Sequence, residues 1–169
     1  FPDFQTPRVL YVLEGVMRSR LFYELRTKDG ITYSPQVNSA NSWATPGWGA
    51  LTVTANVPKD KLAVFYAAAR KVTADLAANE ISADELERAR GPLVTEAEHG
   101  RETNGYWLQQ LGALAREPRA LDLIRNRIPG LKAITPADVK KAAQEFLKDE
   151  RSLRMIVVPE DFTVPPDLP

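Results

Sequence analysis

Histidine and cysteine, the side chains that most often bind metals or act as nucleophiles, are nearly missing from this chain. The sequence has no Cys and one His, His99. The absence of Cys excludes disulfides, thiolate zinc sites, iron–sulfur clusters and a Cys nucleophile. His99 ends the stretch TEAEH, which differs from the inverted zinc motif H-x-x-E-H at its first position, Thr95. Because that motif needs both imidazoles on one helix face, we predict no metal ligand and no catalytic residue, and expect His99 on a helix surface near a C-terminus.

Two other groups of side chains could do chemistry but have a simpler structural interpretation. The acidic clusters within residues 84–87 and 96–102 could supply a general acid and base. We favour solvated helix faces, since Asp and Glu are stabilising in the first turn of a helix. Trp43 and Trp48 could form a stacking platform for a ligand, and the favoured alternative is that they pack beneath their own loop.

Length, charge and hydropathy favour one globular domain. The chain has 169 residues, 22 Lys and Arg against 22 Asp and Glu, 44% hydrophobic residues and 26% charged residues. Because positive and negative side chains are equal in number, the chain has no overall electrostatic attraction to nucleic acid. The uncharged residues 30–58 are interrupted by Pro35 and Pro46 and are not expected to span a membrane. We expect residues 1–160 to form the domain, truncated at its N-terminus because no Met begins the chain, and residues 161–169 to be a proline-rich tail.

Apolar residues at spacings of three and four predict helices along most of the chain. Gly15 is a candidate break in the first helix, Gly30 a candidate stop, and Pro92 predicts a kink. Ser82 and Glu85 have the spacing of a capping box. The predicted helices begin at Thr6-Pro7, near Lys59, at Ser82, at Thr103, near Leu121 (to about Arg127) and at Thr135-Pro136.

Alternating or continuous apolar residues predict three strands. Residues 31–41 and 51–57 have a period of two and are joined by a loop over residues 42–47. Residues 153–158 are nearly all apolar, which is typical of a central strand. The order predicts an α+β fold, with an antiparallel or mixed sheet and several helices layered on one face. Three strands are few for this number of helices, so we expect a first strand to be missing before Phe1.

Five stretches, in order, resemble one family of enzymes. Residues 19–34, SRLFYELRTKDGITYS, resemble the segment S-R-L-F-x-E-L-R-x-K-x-G-x-x-Y-S of the pitrilysin/insulinase family of inverzincin metallopeptidases, in its C-terminal, zinc-free domain. The other four stretches are LTV at 51–53, ISADELERAR at 81–90, ITPADV at 134–139 and LRMIVVP at 153–159. The resemblance covers residues 9–159, and the family's first strand has no counterpart here.

The resemblance implies roles for Arg26 and Tyr33. Enzymes of that family are clam-shells of two homologous halves. One half holds zinc through H-x-x-E-H and a downstream Glu, and the other contacts the bound peptide through an Arg and a Tyr seven positions later. Arg26 and Tyr33 have that spacing, and a guanidinium and a phenol can donate hydrogen bonds to a peptide carbonyl and its developing oxyanion. Two structural alternatives stay open: Arg26 complements a helix C-terminus, and Tyr33 is half-buried with its hydroxyl at the rim.

The implied function is that of a substrate-binding, chamber-closing half of a zinc metallopeptidase. We expect no cofactor in this chain, zinc in the partner domain, and no activity of the chain alone. The expected partners are an N-terminal catalytic half, in the same polypeptide or a separate subunit, and a peptide substrate, which the exposed edge of the strand from Ile31 could also hold. The resemblance is to bacterial-type enzymes and slightly favours periplasm over cytoplasm.

Two alternatives belong to other classes of protein. One is a catalytically inactive structural or regulatory subunit related to the family, acting by association only. The other is an independent binding domain, which would be a stable monomer.

Overall fold

The computed structural model describes residues 4–28, 35–41, 45, 48–115 and 120–161. Predictions for Gly30, Tyr33, Trp43 and nearly all of the proline-rich tail lie outside these residues. The described elements confirm the α+β class, as six helices and a two-stranded antiparallel sheet. The helices are α1 (Gln5–Phe22), α2 (Leu62–Ala78), α3 (Ala83–Gly100), α4 (Asn104–Leu114), α5 (Ala120–Lys132) and α6 (Pro136–Phe146), and the strands are β1 (Gln36–Asn41) and β2 (Gly49–Thr54). Short 3-10 turns, Lys59–Lys61 and Asp149–Arg151, precede α2 and follow α6.

Helix α1 is the centre of the hydrophobic core. It contacts α2, α3, α5, α6 and β1. Most of its apolar residues are buried, and three of them, Leu13, Met17 and Leu21, are among the largest fully buried side chains. Burial of one such side chain contributes about 1.5–3 kcal/mol to folding, so α1 supplies much of the driving force for this packing.

The predicted break at Gly15 is wrong. Helix α1 runs through Gly15 without interruption, and a Cβ added at that residue would lie 3.2 Å from the Cβ of Ala89. Gly15 therefore lets α1 and α3 approach closely, and the packing outweighs the lower helix propensity of glycine.

Three of the predicted helix starts are confirmed by their capping bonds. Ser82 and Glu85 form a reciprocal capping box at the start of α3. Thr135 and Asp138 form a second one at α6, with Pro136 at the first helical position. The Thr103 hydroxyl accepts a hydrogen bond from the main-chain N–H three residues on, at the start of α4. Each device satisfies donors that a helix N-terminus leaves open.

Other predicted boundaries shift. Thr6 does not cap α1, which begins at Gln5 after Phe4 and has no side-chain cap. Helix α5 extends from Ala120 to Lys132, beyond the predicted end at Arg127, and includes Pro129. Pro92, where a kink is predicted, lies inside α3, which continues to Gly100. Helix α3 packs against both α1 and α5.

The two strands pair in the order that their alternation predicts. Val37 lies opposite Val53, and Ser39 opposite Leu51. Val37 is fully buried, while Leu51 and Val53 are half-buried. This hairpin therefore turns one apolar face toward the helices. The part of the first predicted strand at residues 31–34 lies outside the described residues.

The prediction of a central strand at residues 153–158 is wrong for the described chain. Residues 152–159 form no regular element, and Leu153, Met155 and Val157 are 87%, 76% and 91% exposed. The Tyr66 hydroxyl donates a hydrogen bond to the Met155 carbonyl at 3.4 Å. A central strand needs a hydrogen-bonded neighbour on each side, and no strand of the described chain pairs with this segment.

Candidate functional site

Arg26 lies on an exposed turn at the end of the central helix. After α1, residues Tyr23–Lys28 continue as a π-helical turn. Leu25 is fully buried in the core, while the neighbouring Arg26 is exposed. The buried leucine fixes the turn, and the guanidinium of Arg26 is thereby held at the protein surface.

An aromatic ring lies beneath Arg26. The guanidinium carbon of Arg26 is 4.9 Å from the centroid of the Phe22 ring. Phe22 itself is 37% exposed, and Tyr23 beside it is 60% exposed. A cation over an aromatic face is stabilised by about 0.5–1 kcal/mol at such an exposed site, so Phe22 restricts where the guanidinium lies. Sequence analysis did not identify this role for Phe22, although the spacing of four residues places both side chains on one helix face.

The structure does not place Tyr33 beside Arg26. Tyr33 lies outside the described residues, between Lys28 and Pro35. The described part of the site is therefore Arg26 with Phe22, and the joint role of Arg26 and Tyr33 stays a prediction.

Ion pairs attach the helix that carries Arg26 to its neighbours. Glu24 accepts a hydrogen bond from Nζ of Lys71 in α2 at 2.7 Å. Arg20 binds Glu85 at the start of α3, with Nε 2.9 Å from Oε1, and also binds Asp75 of α2. These contacts place the end of α1 relative to two other helices, and sequence analysis gave no role to Arg20.

The Arg20–Glu85 pair changes the acidity of both groups. The hydrogen bond from Arg20 lowers the pKa of the Glu85 carboxyl below its ordinary value, against the opposite effect of burial. Burial alone would lower the pKa of Arg20, but its bonds and attraction to Glu85 and Asp75 raise it. Both shifts favour the charged forms, so this pair stays ionised around neutral pH.

Two side chains of α1 form hydrogen bonds with main-chain groups of β1. Arg18 donates a hydrogen bond from Nη2 to the Val37 carbonyl at 2.9 Å, and the main-chain N–H of Ser39 donates to Oε2 of Glu14 at 2.9 Å. Arg18 and Glu14 also pair with each other. The prediction of an open, peptide-binding edge is wrong at Val37 and Ser39, because these groups are already bound. Residues 31–34 of that predicted edge lie outside the described residues.

The remaining chemical candidates are surface groups. His99 is exposed in the last turn of α3, as expected. Among the acidic residues, Glu96 faces Arg127 at 3.6 Å and Glu98 binds Lys132 at 3.0 Å. Trp48 is 53% exposed, and Trp43 lies outside the described residues.

The described residues do not fit a zinc ion. Within the described ranges, no group of three His, Cys, Asp or Glu side chains could hold a metal ion. In the same ranges, none of the helices is both long and apolar enough to cross a lipid bilayer.

Comparison with known proteins identifies a family and several similar proteins. Over residues 9–93, half of the chain, the sequence matches the family described as "Peptidase M16 inactive domain". It is 31% identical over 147 residues to the chloroplastic stromal processing peptidase of Arabidopsis thaliana, a match that covers 84% of this chain and 11% of that protein. It is also 31% identical over 109 residues to an uncharacterized zinc protease of Rickettsia bellii (strain RML369-C), covering 64% of this chain and 26% of that protein.

A solved structure has the same fold. The periplasmic protease PqqL of Escherichia coli superimposes with a TM-score of 0.71 at 15% identity, over 86% of this chain and 16% of that one. The chain thus spans about a tenth of the length of the curated plant relative and a quarter of the bacterial one. The family match over residues 9–93 agrees with the resemblance described above. The chain belongs to the M16 peptidase family, the pitrilysin/insulinase type, and its sequence is that of the family's inactive domain.

Proposed function

We propose that this chain is the peptide-binding, chamber-closing half of a zinc metallopeptidase. Membership of the inactive-domain family supports a non-catalytic half that works beside a catalytic domain. The catalytic zinc and the water it activates would belong to that other domain or subunit. This chain would orient the peptide and donate hydrogen bonds to it near the scissile bond.

The observation that carries the proposal is the position of Arg26. Its guanidinium is exposed, lies over the Phe22 ring, and sits on a turn fixed by the buried Leu25. An exposed guanidinium with restricted motion is suited to binding a carbonyl oxygen, because less side-chain entropy is lost on binding. Tyr33, as the second donor, rests on the resemblance of residues 19–34 to the family's segment.

The proposal is tested in an enzyme that contains both halves. Arg26→Ala should lower kcat/KM for peptide cleavage by about a hundredfold or less, since the loss of one oxyanion-hole donor costs about 10²–10³ in rate. Arg125→Ala, which changes an exposed arginine of α5, is the matched control and should leave kcat/KM unchanged. If both variants cleave peptide like the wild type, Arg26 does not contact the substrate. If neither they nor the wild type cleave any peptide, the chain is a structural subunit that acts by association.

A further inference from the structure

The end of the central helix carries two pairs of side chains, one buried and one exposed. Leu21 and Leu25 are fully buried, whereas Phe22 and Arg26 are exposed. Residues four apart are neighbours on a helix surface, so the members of each pair lie beside each other. The buried pair fixes how this part of the chain is rotated about the helix axis, and the exposed pair therefore faces outward together.

The turn that leads to Arg26 is also bonded to a neighbouring helix. Glu24 accepts a hydrogen bond from Nζ of Lys71 in α2 at 2.7 Å. Residues 23–28 form a single π-helical turn, a rare conformation that is frequent at functional sites. Because Glu24 is bonded to α2 and Leu25 is buried, the backbone before Arg26 is held in place. The position of the guanidinium then depends on the rotamers of the long Arg26 side chain.

The ring of Phe22 restricts those rotamers before any ligand binds. The guanidinium carbon of Arg26 lies 4.9 Å from the ring centroid, within the distance of a cation–π contact. Such a contact needs no hydrogen-bond donor, so a guanidinium over a ring can still donate to a carbonyl oxygen. Rotamer freedom that is lost before binding is not lost again on binding, and the complex is favoured by that amount.

We infer, on the basis of the proposed function in which Arg26 touches the substrate, that Phe22 is a positioning residue. Its ring holds the guanidinium of Arg26 in the pose that binds the peptide carbonyl. Phe22 acts through Arg26 and through the face of its ring, since the negative face of the ring attracts the cation. An aliphatic side chain at this position therefore does not replace the phenylalanine, whereas another aromatic side chain does.

The first test measures peptide cleavage in an enzyme that contains both halves. Phe22→Leu keeps an apolar side chain but removes the ring, and should lower kcat/KM about twofold to fivefold, the effect of losing one exposed cation–π contact. Phe22→Tyr keeps a ring and should keep the kcat/KM of the wild type. Tyr11→Leu changes another exposed aromatic residue of α1, and as the matched control it should leave kcat/KM unchanged.

A double variant shows whether Phe22 acts through Arg26. In the Arg26→Ala background there is no guanidinium to position, so adding Phe22→Leu should cause no further loss of kcat/KM. A purely structural role of Phe22, or a direct contact between its ring and the peptide, would cause the same loss in both backgrounds and would overturn the inference. An equal loss in Phe22→Leu and Phe22→Tyr would overturn it too.

A measurement without substrate separates this inference from the proposed function. In the 169-residue chain, NMR relaxation of the Arg26 Nε–H group reports its motion on the picosecond to nanosecond timescale. The order parameter of that group should fall in Phe22→Leu and stay unchanged in Phe22→Tyr and Tyr11→Leu. An order parameter that does not respond to Phe22→Leu would overturn the inference. If it does respond but Arg26→Ala cleaves peptide like the wild type, the proposed function is what fails.

Discussion

Arg20 and Glu85 join the central helix to α3 through two hydrogen bonds, from Nε to Oε1 at 2.9 Å and from Nη2 to Oε2 at 3.2 Å. The side chains are 21% and 27% exposed. Arg20 lies six residues before Arg26, so the pair fixes the part of α1 that leads to the candidate site. A planar guanidinium is required for this two-bond geometry, which an ammonium group cannot reproduce.

Replacing Arg20 by Lys should therefore destabilise the fold while keeping the charge. We expect Arg20→Lys to lower the free energy of unfolding by about 1 kcal/mol, because one of the charge-assisted bonds to Glu85 is lost. Urea unfolding followed by circular dichroism measures the change. The control is Arg88→Lys, since Arg88 and its partner Asp84 are 66% and 73% exposed, and such pairs contribute little. Equal effects of the two variants would contradict this account.

The same pair predicts how stability depends on pH. Because the hydrogen bond from Arg20 lowers the pKa of folded Glu85, the unfolded chain holds the proton more tightly than the folded chain. The stabilisation is thus fully present above the ordinary pKa of 4.5 and is lost as pH falls through the lower, folded pKa. Glu85→Gln should be less stable than the wild type at neutral pH, with a gap that narrows as the solution is acidified below pH 4.5.

Urea unfolding at several pH values checks this behaviour. The exposed Glu80 offers a control. The free energy of unfolding of Glu80→Gln should differ from that of the wild type by the same amount at each pH. A difference in free energy of unfolding between Glu85→Gln and the wild type that does not change with pH would contradict the lowered pKa of Glu85.

Substitutions at Gly15 and Gly105 should change the free energy of unfolding in opposite directions, because only Gly15 packs closely against another helix. A Cβ at Gly15 would lie 3.2 Å from the Cβ of Ala89, whereas a Cβ at Gly105 in α4 would meet nothing within 4 Å. Gly15→Val should lower the free energy of unfolding by about 1–3 kcal/mol, because the added methyl groups force α1 and α3 apart. Gly105→Ala should leave it unchanged or raise it by up to about 1 kcal/mol, since alanine favours helix. Thermal unfolding of both variants measures this, and a loss of stability in Gly105→Ala alone would refute the packing given for Gly15.

Tyr33 is expected to act through its hydroxyl. In an enzyme with both halves, Tyr33→Phe should lower kcat/KM by about 10²-fold or less, as for one lost donor to an oxyanion. Tyr66→Phe is the matched control, because the Tyr66 hydroxyl donates to the Met155 main chain. An unchanged rate for Tyr33→Phe would remove Tyr33 from the site.

Features set by neighbouring residues could be predicted from the sequence. The capping boxes at Ser82 and Thr135 depend on side chains three residues apart, and the alternation through Leu51 and Val53 depends on a period of two. Such patterns are complete within a short window, so one sequence contains all of the information that they need.

Features that join distant parts of the chain could not be predicted in this way. Arg20 meets Glu85 across 65 residues, and nothing near Arg20 indicates that partner. Gly15 looked like a helix break because its close neighbour, Ala89, lies in another helix. The apolar run at 153–158 is typical of a central strand, but a strand also needs neighbours with which to pair. For the site, the resemblance implies that Arg26 contacts the peptide, which stays a prediction, and no local pattern indicated that the ring of Phe22 lies beneath it.

In the proposed function, this chain binds peptide for cleavage while another half holds the zinc. The most direct measurement compares zinc content and cleavage of a fluorogenic peptide for the 169-residue chain, the catalytic half, and the two mixed. We predict no stoichiometric zinc and no turnover in this chain alone, and faster cleavage in the mixture than in the catalytic half alone. Tightly bound stoichiometric zinc, or turnover by the isolated chain, would contradict the account.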